Sequence, residues 1–429
     1  MNIKRNFQKI KNIYHLVKSI TANFCFLFPS RKLTVIGVTG TNGKTTTAQI
    51  IGKVLEATGK KVAVYSTINF KIGDKKEVNK TKFTTQSAWS LQKFINKALK
   101  NNCQYLVLET SSHALDQFRV WGVDYNLAVI TNITREHLDY HLTMEDYRKT
   151  KLKLFKTTAN SWRRIQRIGI VNQDMEKFED FILPGMDENY LFSIQNQKQI
   201  KGFEDCVKIG AEKIVEKDFK SQFLIQDEKF NLNLPGKFNI ENALVGICVG
   251  ISQGISLDKI KNKLAEIKNI AGRMDFVKNK KSLKIIIDYA LTPDSMEKIG
   301  QMMKEFKTKN KGRLIWVFGS CGNRDQGKRP IMGEIVSKFA DYTIVTNEDP
   351  YDENPIKIME EIEKGISDKS KEKFSRITDR KKALKKAFEI AKKGDIILVT
   401  GKGAEENMMV GTKKLPWNDK DVIQDILNN

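Results

Sequence analysis

A doubly wound α/β fold in two domains is what this sequence predicts, and three observations predict it. Short apolar runs alternate with helix-compatible segments, the arrangement that gives parallel strands joined by right-handed helical crossovers. One such run, Leu33 to Val38, empties into a Gly-rich turn that opens a helix. After Gly272 a second alternating series begins, which places a domain boundary near Ala271. The expected organisation is an N-terminal basic helix over 1–32, a larger central domain over 33–271 with a mostly parallel sheet, and a smaller Rossmann-like α/β domain over 272–429.

The Gly-rich turn lies in Leu33 to Thr47, LTVIGVTGTNGKTTT. Strand, turn and helix follow in the order of a phosphate-cradling loop, in which backbone N–H groups and a helix N-terminus face anionic oxygens. Gly40, Thr41, Asn42, Gly43, Lys44, Thr45 and Thr46 form the candidate cradle: Lys44 supplies a point charge and Thr45 a hydroxyl suited to Mg²⁺. Val38 stands where the general pattern has its first glycine, and glycines occur instead at Gly37 and Gly40. The plain alternative, a chance Gly-Lys-Thr in a surface turn, does not account for the flanking strand and helix.

The elements then run in order. Helix Thr45 to Ala57, strand Lys61 to Ser66, helix Ala88 to Lys100, and strands Tyr105 to Glu109 and Leu127 to Asn132 build the first sheet. Ligands of such sheets bind beyond the carboxyl ends of the strands, and Lys44, Glu109 and Asn132 to His137 all fall there. Residues 158–234 show weak alternation and no motif. Leu234 onward reads as a strand end, a Pro-Gly turn and an apolar helix in which Asn239 or Asn242 can face a nucleotide. The second series has strands Leu283 to Asp288, Leu314 to Gly319, Tyr342 to Thr346 and Ile396 to Thr400, each ending in polar residues fit for chemistry.

Lysine and arginine exceed aspartate and glutamate by 74 − 51 = 23. The excess is spread along the chain and matches no nucleic-acid motif, so no nucleic-acid partner is expected. Five scattered cysteines give no C-x-x-C pair, which fits a reducing cytoplasm. No stretch reaches the ~18 apolar residues of a membrane span. The first thirty residues are nonetheless amphipathic: Ile3, Phe7, Ile10, Tyr14, Val17, Ile20 or Thr21, Phe24 and Phe28 recur at helical spacing among Lys4, Arg5, Lys9, Lys11 and Lys18. Such a helix either lies in the interface of an anionic bilayer, giving a peripheral contact with the inner membrane surface through residues 3–28, or packs on its own domain or a partner.

The loop GTNGKTTT is followed by ETSSHALDQFRV, TNITREHLDYH, GRMD, DYA-TPD, FGSCGNRDQGKRP and GKG-E, and in this order they resemble the Mur ligases. The resemblance covers Leu33 to about Ile426 and is nearest to the tripeptide synthetases. It implies ATP- and Mg²⁺-dependent amide ligation in peptidoglycan synthesis, with a free amino acid added to a UDP- or lipid-linked muramoyl peptide. The acceptor carboxylate takes the γ-phosphoryl group, and an amine attacks the acyl phosphate. On this resemblance Lys44, Glu109, His137 and Lys151 are catalytic. Thr45, Glu109, His137 and a carbamylated Lys151 support the metal, and Asn242, Arg273 and Asp288 join the loop in holding nucleotide. Thr84, Thr85, Ser111, Gln117 and Arg119 would contact the acceptor, while Arg324, Glu348, Asp349, Gly401 and Glu405 would contact the amino acid.

Three departures stand out against the family pattern. The family's N-terminal uridine-binding domain does not precede the phosphate loop here, where the basic helix stands instead. Leu291 and Ala404 replace family histidines. At the selector motif the chain reads Glu348-Asp349-Pro350-Tyr351, so a tyrosine replaces the arginine that grips a distal carboxylate. A tyrosine cannot form that bidentate pair, and the nearby Asp352, Glu353 and Glu405 favour a side-chain ammonium such as lysine's. Two alternatives remain: a ligase of the same superfamily acting on another acceptor, and a non-catalytic nucleotide-binding scaffold at the membrane.

Overall fold

A computed structural model describes residues 2–81, 83–161, 166–195, 201–280, 283–310 and 312–428, with the side chains of 3–7 and 9 among those outside the description. The chain divides into two compact units, Met1–Thr134 with Thr143–Lys268, and Arg135–Leu142 with Asn269–Asn429.

The first unit opens with helix α1 (Asn2–Cys25). Strand β1 (Thr34–Thr39), helix α2 (Lys44–Leu55), strands β2 (Lys61–Tyr65), β3 (Asn69–Ile72) and β4 (Lys75–Val78), helix α3 (Ala88–Lys100), strand β5 (Cys103–Glu109), helix α4 (Ser112–Asp116) and strand β6 (Leu127–Ile130) follow. The short helix α5 (Leu138–His141) falls in the segment that groups with the second unit. Then come α6 (Met144–Ala159), β7 (Ile168–Asn172), β8 (Glu188–Ser193), β9 (Val207–Gly210), a separate antiparallel sheet of β10 (Glu212–Lys217), β11 (Lys220–Ile225) and β12 (Glu228–Leu232), and helices α7 (Lys237–Ser252) and α8 (Leu257–Ala265).

The nine-stranded sheet has the order β4-β3-β2-β5-β1-β6-β7-β8-β9 and is parallel except at β3 and β4. Its central strands are apolar on both faces because helices cover both: Val35, Ile36 and Val38 of β1 are fully buried, as are Leu106, Val107 and Leu108 of β5. α3 starts where Ser87 caps the Ser90 N–H and ends in Asn101-Asn102, which is why its limits are legible in the sequence. The phosphate loop, Glu109 and Asn132 thus leave three adjacent strands, β1, β5 and β6, at the same end.

The second unit contains β13 (Asp275–Val277), β14 (Lys284–Asp288), α9 (Pro293–Asn310), β15 (Leu314–Phe318), α10 (Lys328–Phe339), β16 (Tyr342–Thr346), α11 (Pro355–Glu363), β17 (Phe374–Ile377), α12 (Arg380–Ile390), β18 (Ile396–Thr400), the hairpin β19 (Asn407–Val410) and β20 (Lys413–Pro416), and α13 (Asp419–Asn428). Its sheet order is β13-β14-β18-β15-β16-β17, with only β13 antiparallel. A buried ion pair, Arg380 to Asp419 at 2.7 Å, also ties two strand ends together, because the guanidinium donates to the carbonyls of Thr400 and Asn347. Burial without such pairing would be costly for either charge.

The helix α1 packs on its own domain through the side opposite its apolar stripe. Ser19, Ala22 and Asn23 are buried against the domain, whereas Ile10, Tyr14, Val17 and Phe24 point outward. Asn12 donates to Asp116 and Asn23 to the Trp121 carbonyl, so polar and small residues make the contact. Among the described residues no helix is long and apolar enough to cross a membrane.

Candidate active site

β1 runs into the loop through Gly40, whose φ of +146° is left-handed territory and whose Cα faces Thr131: a Cβ there would lie 1.9 Å from Thr131 Oγ1. The loop is laced to the strand after it in space. Thr41 N donates to the Asn132 carbonyl at 2.9 Å, Asn42 N to Asn132 Oδ1 at 2.9 Å, and Thr131 Oγ1 to the Asn42 carbonyl at 2.7 Å. The departure at Val38 also has a local reason. The sequence places its glycine one position earlier, at Gly37, where a Cβ would come within 2.7 Å of the Tyr125 ring. Gly40→Ala is expected to destabilise the protein by about 1–3 kcal/mol through strain and the Thr131 clash, measured as a lowered urea midpoint at unchanged slope.

Lys44 folds back over the loop, donating to the carbonyls of Gly40 at 3.0 Å and Thr41 at 2.8 Å. Lys151, on α6, is fully buried and donates to the same Gly40 oxygen at 2.7 Å, with its ammonium 4.3 Å from the Tyr147 ring centroid. Two lysine nitrogens therefore share one acceptor. Burial, and after it the Lys44 charge, hold the Lys151 amine well below the usual lysine range.

Thr45 Oγ1 donates to both oxygens of Glu109, at 3.0 and 3.1 Å. Glu109 also accepts from Thr67 N at 2.7 Å and Thr67 Oγ1 at 2.9 Å. A carboxylate and a hydroxyl at this spacing are a hard-oxygen donor pair that fits Mg²⁺. Lys44 and the first turn of α2 fit the phosphates such an ion would accompany. Among the described residues no cluster of three His, Cys, Asp or Glu side chains forms a metal site.

The acceptor candidates converge on one loop. Thr85 Oγ1 donates to the Glu109 carbonyl and accepts from Ser111 N, Arg119 donates to the Thr85 carbonyl, and Thr84 Oγ1 accepts from Thr67 at 3.0 Å. Ser111 caps α4, and Gln117 follows that helix. Asn242, on α7, accepts from Thr47 Oγ1 at 2.9 Å and donates to Asn239 at 3.2 Å, so its amide already serves the α2–α7 contact. Thr46 is buried in the first turn of α2. His137 has a left-handed backbone and lies in the short segment grouped with the second unit.

In the second unit Asp288 ends β14 and accepts from Met274 N at 2.8 Å. Burial pushes its carboxyl up and the Arg273 charge opposes this. Arg273 stacks 4.4 Å over the Tyr289 ring, whose hydroxyl donates to Glu405 at 3.1 Å. The Gly401 N–H donates to the Asp288 carbonyl, and Arg324 is exposed on the loop after β15. Of the acidic residues read as favouring a substrate ammonium, Glu353 pairs with Arg329 at 2.9 Å and Glu405 already has an internal ammonium: buried Lys402 donates to Asp349 at 2.9 Å, Glu405 at 2.6 Å and the Asn407 carbonyl at 2.8 Å. Burial lowers the Lys402 basicity, but these carboxylates raise it above the usual lysine value. Glu348 is different. It is buried, accepts from the Cys321 thiol at 2.9 Å, and has its Oε2 without a partner among the described residues. Burial pushes its carboxyl up.

The residues that sequence reasoning passed over are Thr67, Thr131 and Lys402. Thr67 follows β2, a neighbour of β5, so the carboxyl-end rule that found Glu109 also points to it. Lys402 is three residues before Glu405 in GKG-E, and only its burial reveals what it does.

A phosphate loop at the centre of a parallel sheet, with paired lysines behind it and a carboxylate–hydroxyl pair beside it, defines a nucleotide-using α/β enzyme. Family profiles described as "Mur ligase middle domain" and "Mur ligase, glutamate ligase domain" match residues 38–250 and 272–403. The UDP-N-acetylmuramoyl-L-alanyl-D-glutamate–2,6-diaminopimelate ligase of Clostridium tetani is 36% identical over 427 residues, covering 98% of this chain and 83% of that relative. A solved structure of a ligase of the same description matches with a TM-score of 0.60 at 27% identity, over 92% of this chain and 78% of that one. Folylpolyglutamate synthase of Mycobacterium tuberculosis shares the fold, with a TM-score of 0.69 at 13% identity over 90% and 92% of the two chains. The chain belongs to the Mur ligase family, the ATP-dependent amino-acid ligases of peptidoglycan synthesis.

Proposed function

We propose that the chain adds an amino acid bearing a side-chain ammonium, lysine or another diamino acid, to a UDP- or lipid-linked muramoyl peptide, with ATP and Mg²⁺. The observation that carries this reading is the convergence of Lys44, Lys151, Thr45 and Glu109 around one loop carbonyl and one carboxylate. Lys44 and the α2 N-terminus hold the β- and γ-phosphates and draw charge from the transferring group. Thr45 and Glu109 would hold Mg²⁺, which would supply Lewis-acid charge to the phosphoryl oxygens. Thr85, Ser111, Gln117 and Arg119 orient the acceptor so that its carboxylate meets the γ-phosphoryl group, and His137 and a carbamylated Lys151 complete the metal surroundings as the family resemblance implies. Asn242, Arg273 and Asp288 are assigned to nucleotide, and Arg324 to the α-carboxylate of the incoming amino acid.

The choice of amino acid rests on two features. Tyr351 stands where an arginine would pair a second carboxylate. Asp349 and Glu405 are engaged by Lys402 and Glu353 by Arg329, which leaves Asp352 and the Oε2 of Glu348 to face an ammonium. A peripheral contact with an anionic membrane surface through residues 3–28 is part of the same reading.

The test supplies purified protein with ATP, Mg²⁺, a UDP-linked or lipid-linked muramoyl dipeptide, and lysine, ornithine or diaminopimelate, following phosphate release and product mass. Lysine or ornithine is expected to exceed diaminopimelate by at least about tenfold in kcat/KM, the size of one lost charged pair. Preference for diaminopimelate refutes the substrate assignment; ATP binding without turnover on any acceptor refutes the ligase.

A further inference from the structure

The outward face of α1 carries an apolar stripe over about four turns. Ile10, Ile13, Tyr14, Val17 and Phe24 are 65%, 62%, 57%, 55% and 63% exposed, and Leu27 beyond the helix end is 82% exposed. At about 100° per residue the five helical positions share one side, opposite Asn12, Ser19 and Asn23, which hold the helix to its domain. The stripe ends in an aromatic cluster. Phe24 packs on Phe28, Phe28 on Trp121 and Phe26 on Trp89, both tryptophans are partly exposed, and Arg31 stacks 4.1 Å over Phe28.

We propose that this face seats the protein on an anionic lipid bilayer and that the acceptor is therefore a membrane-anchored, lipid-linked glycopeptide. Charge selects the occupant. Residues 2–32 contain Lys4, Arg5, Lys9, Lys11, Lys18, Arg31 and Lys32 and not one aspartate or glutamate. A second copy would bring two such helices together against their mutual repulsion, whereas anionic headgroups complement them. Half-exposed tryptophans with basic neighbours at the end of an apolar stripe suit the headgroup boundary, where the ring is buried and the N–H stays wet.

The seat also bears on the site. α1 contacts the segment that carries Gln117 and Arg119: Asn12 Nδ2 donates to the Asp116 carbonyl and carboxylate at 3.1 and 3.0 Å, and Asn23 to the Trp121 carbonyl at 2.7 Å. His15, on the same helix, is held below its usual basicity by burial and by the Arg119 charge. A bilayer against the stripe thus lies one helix diameter, about 10 Å, from the segment that carries residues assigned to the acceptor. This step rests on the ligase reading above.

The test uses the full chain and the double variant Ile13→Glu/Val17→Glu, whose positions are exposed and outside the catalytic machinery. Vesicles of phosphatidylcholine with about 30 mol % phosphatidylglycerol are expected to sediment the wild-type protein at least about tenfold more effectively than pure phosphatidylcholine, and added salt should weaken the effect. The variant should lose at least about tenfold in vesicle binding and, in parallel, in turnover of a vesicle-embedded lipid-linked muramoyl dipeptide, with unchanged melting temperature and unchanged turnover of the soluble UDP-linked form. Lys11→Glu/Lys18→Glu should reproduce the loss on anionic vesicles. Wild-type-like vesicle binding by both variants overturns the proposal. So does a stripe variant that turns a dimer into a monomer, or one that loses capture of an acidic protein while vesicle binding is absent throughout. Turnover of the lipid-linked acceptor that ignores the stripe overturns the acceptor assignment. Stripe-dependent vesicle binding with no turnover of any acceptor upholds the seat and overturns the ligase reading instead.

Discussion

Lys44→Ala is expected to remove ATP-dependent phosphate release, with kcat falling on the order of a thousandfold, or about 4 kcal/mol of transition-state stabilisation. The side chain lies across the mouth of the loop, 3.0 and 2.8 Å from the carbonyls of Gly40 and Thr41, on a single-residue lever from the N-terminus of α2. Its charge is where β- and γ-phosphate oxygens would gather negative charge as the phosphoryl group moves to the acceptor. An alanine retains the loop backbone and the helix N-terminus, so some ATP binding should survive while catalysis does not. Lys53→Ala provides the comparison. That lysine is on the same helix but pairs with Glu56 and Glu266 at the surface, and its loss should leave turnover within about twofold. Phosphate release by Lys44→Ala within about tenfold of wild type defeats the assigned role.

The parts of this arrangement that could be read from the sequence are those whose physics is local. β16 and β18 and helix α3 carry their own boundaries: five-residue apolar strands flanked by polar or Gly residues, and a Ser cap answered by Asn-Asn. The loop could be read for the same reason, since strand, glycines, lysine and helix are consecutive. Residues 158–234 could not, because β10 and β12 are short, alternate charged and apolar residues imperfectly, and owe their sheet to pairing with β11 rather than to their own pattern. α1 was legible as an amphipathic helix but not in its orientation. Periodicity identifies an apolar face and says nothing of whether Asn12 and Asn23 find carbonyls on the domain.

Long-range pairing also decides what the charged residues are free to do. Asp349, Glu405 and Asp352 read alike as acidic loop residues, yet Lys402 engages the first two and not the third. Nothing in GKG-E announces that its lysine is buried, and a charge buried at that cost must be paired. The residue left with an open oxygen, Glu348, is one the motif offered only as a member of a group. Lys151 differs again: the family resemblance pointed to it in sequence, but the Gly40 oxygen it shares with Lys44 is a tertiary fact.

That shared oxygen leads to the second large effect. Removing dissolved CO₂ from the enzyme is expected to lower its activity at least about a hundredfold, and bicarbonate should restore it, while Lys151→Met stays inactive with or without bicarbonate. A neutral amine is the form that attacks CO₂, and burial together with Lys44 favours it by holding the Lys151 amine well below its usual range. Attack of the amine on CO₂ forms the N–C bond and releases one proton to solvent; the carbamate so formed would set an anionic group beside the Lys44 ammonium and offer the metal surroundings an anionic oxygen. The sign of the pH dependence follows. At fixed dissolved CO₂ the rate of reactivation rises with pH up to the folded-state value of Lys151 and flattens above it. For stability in CO₂-free buffer, the unfolded chain binds the extra proton between the depressed folded value and about 10.4, so wild-type stability climbs with pH across that window. Lys151→Met lacks this titration, and its urea midpoint should exceed that of the wild type most at neutral pH, with the gap closing as the solution becomes alkaline. Activity indifferent to CO₂, or a gap that widens with pH, refutes the carbamate and the depressed amine respectively.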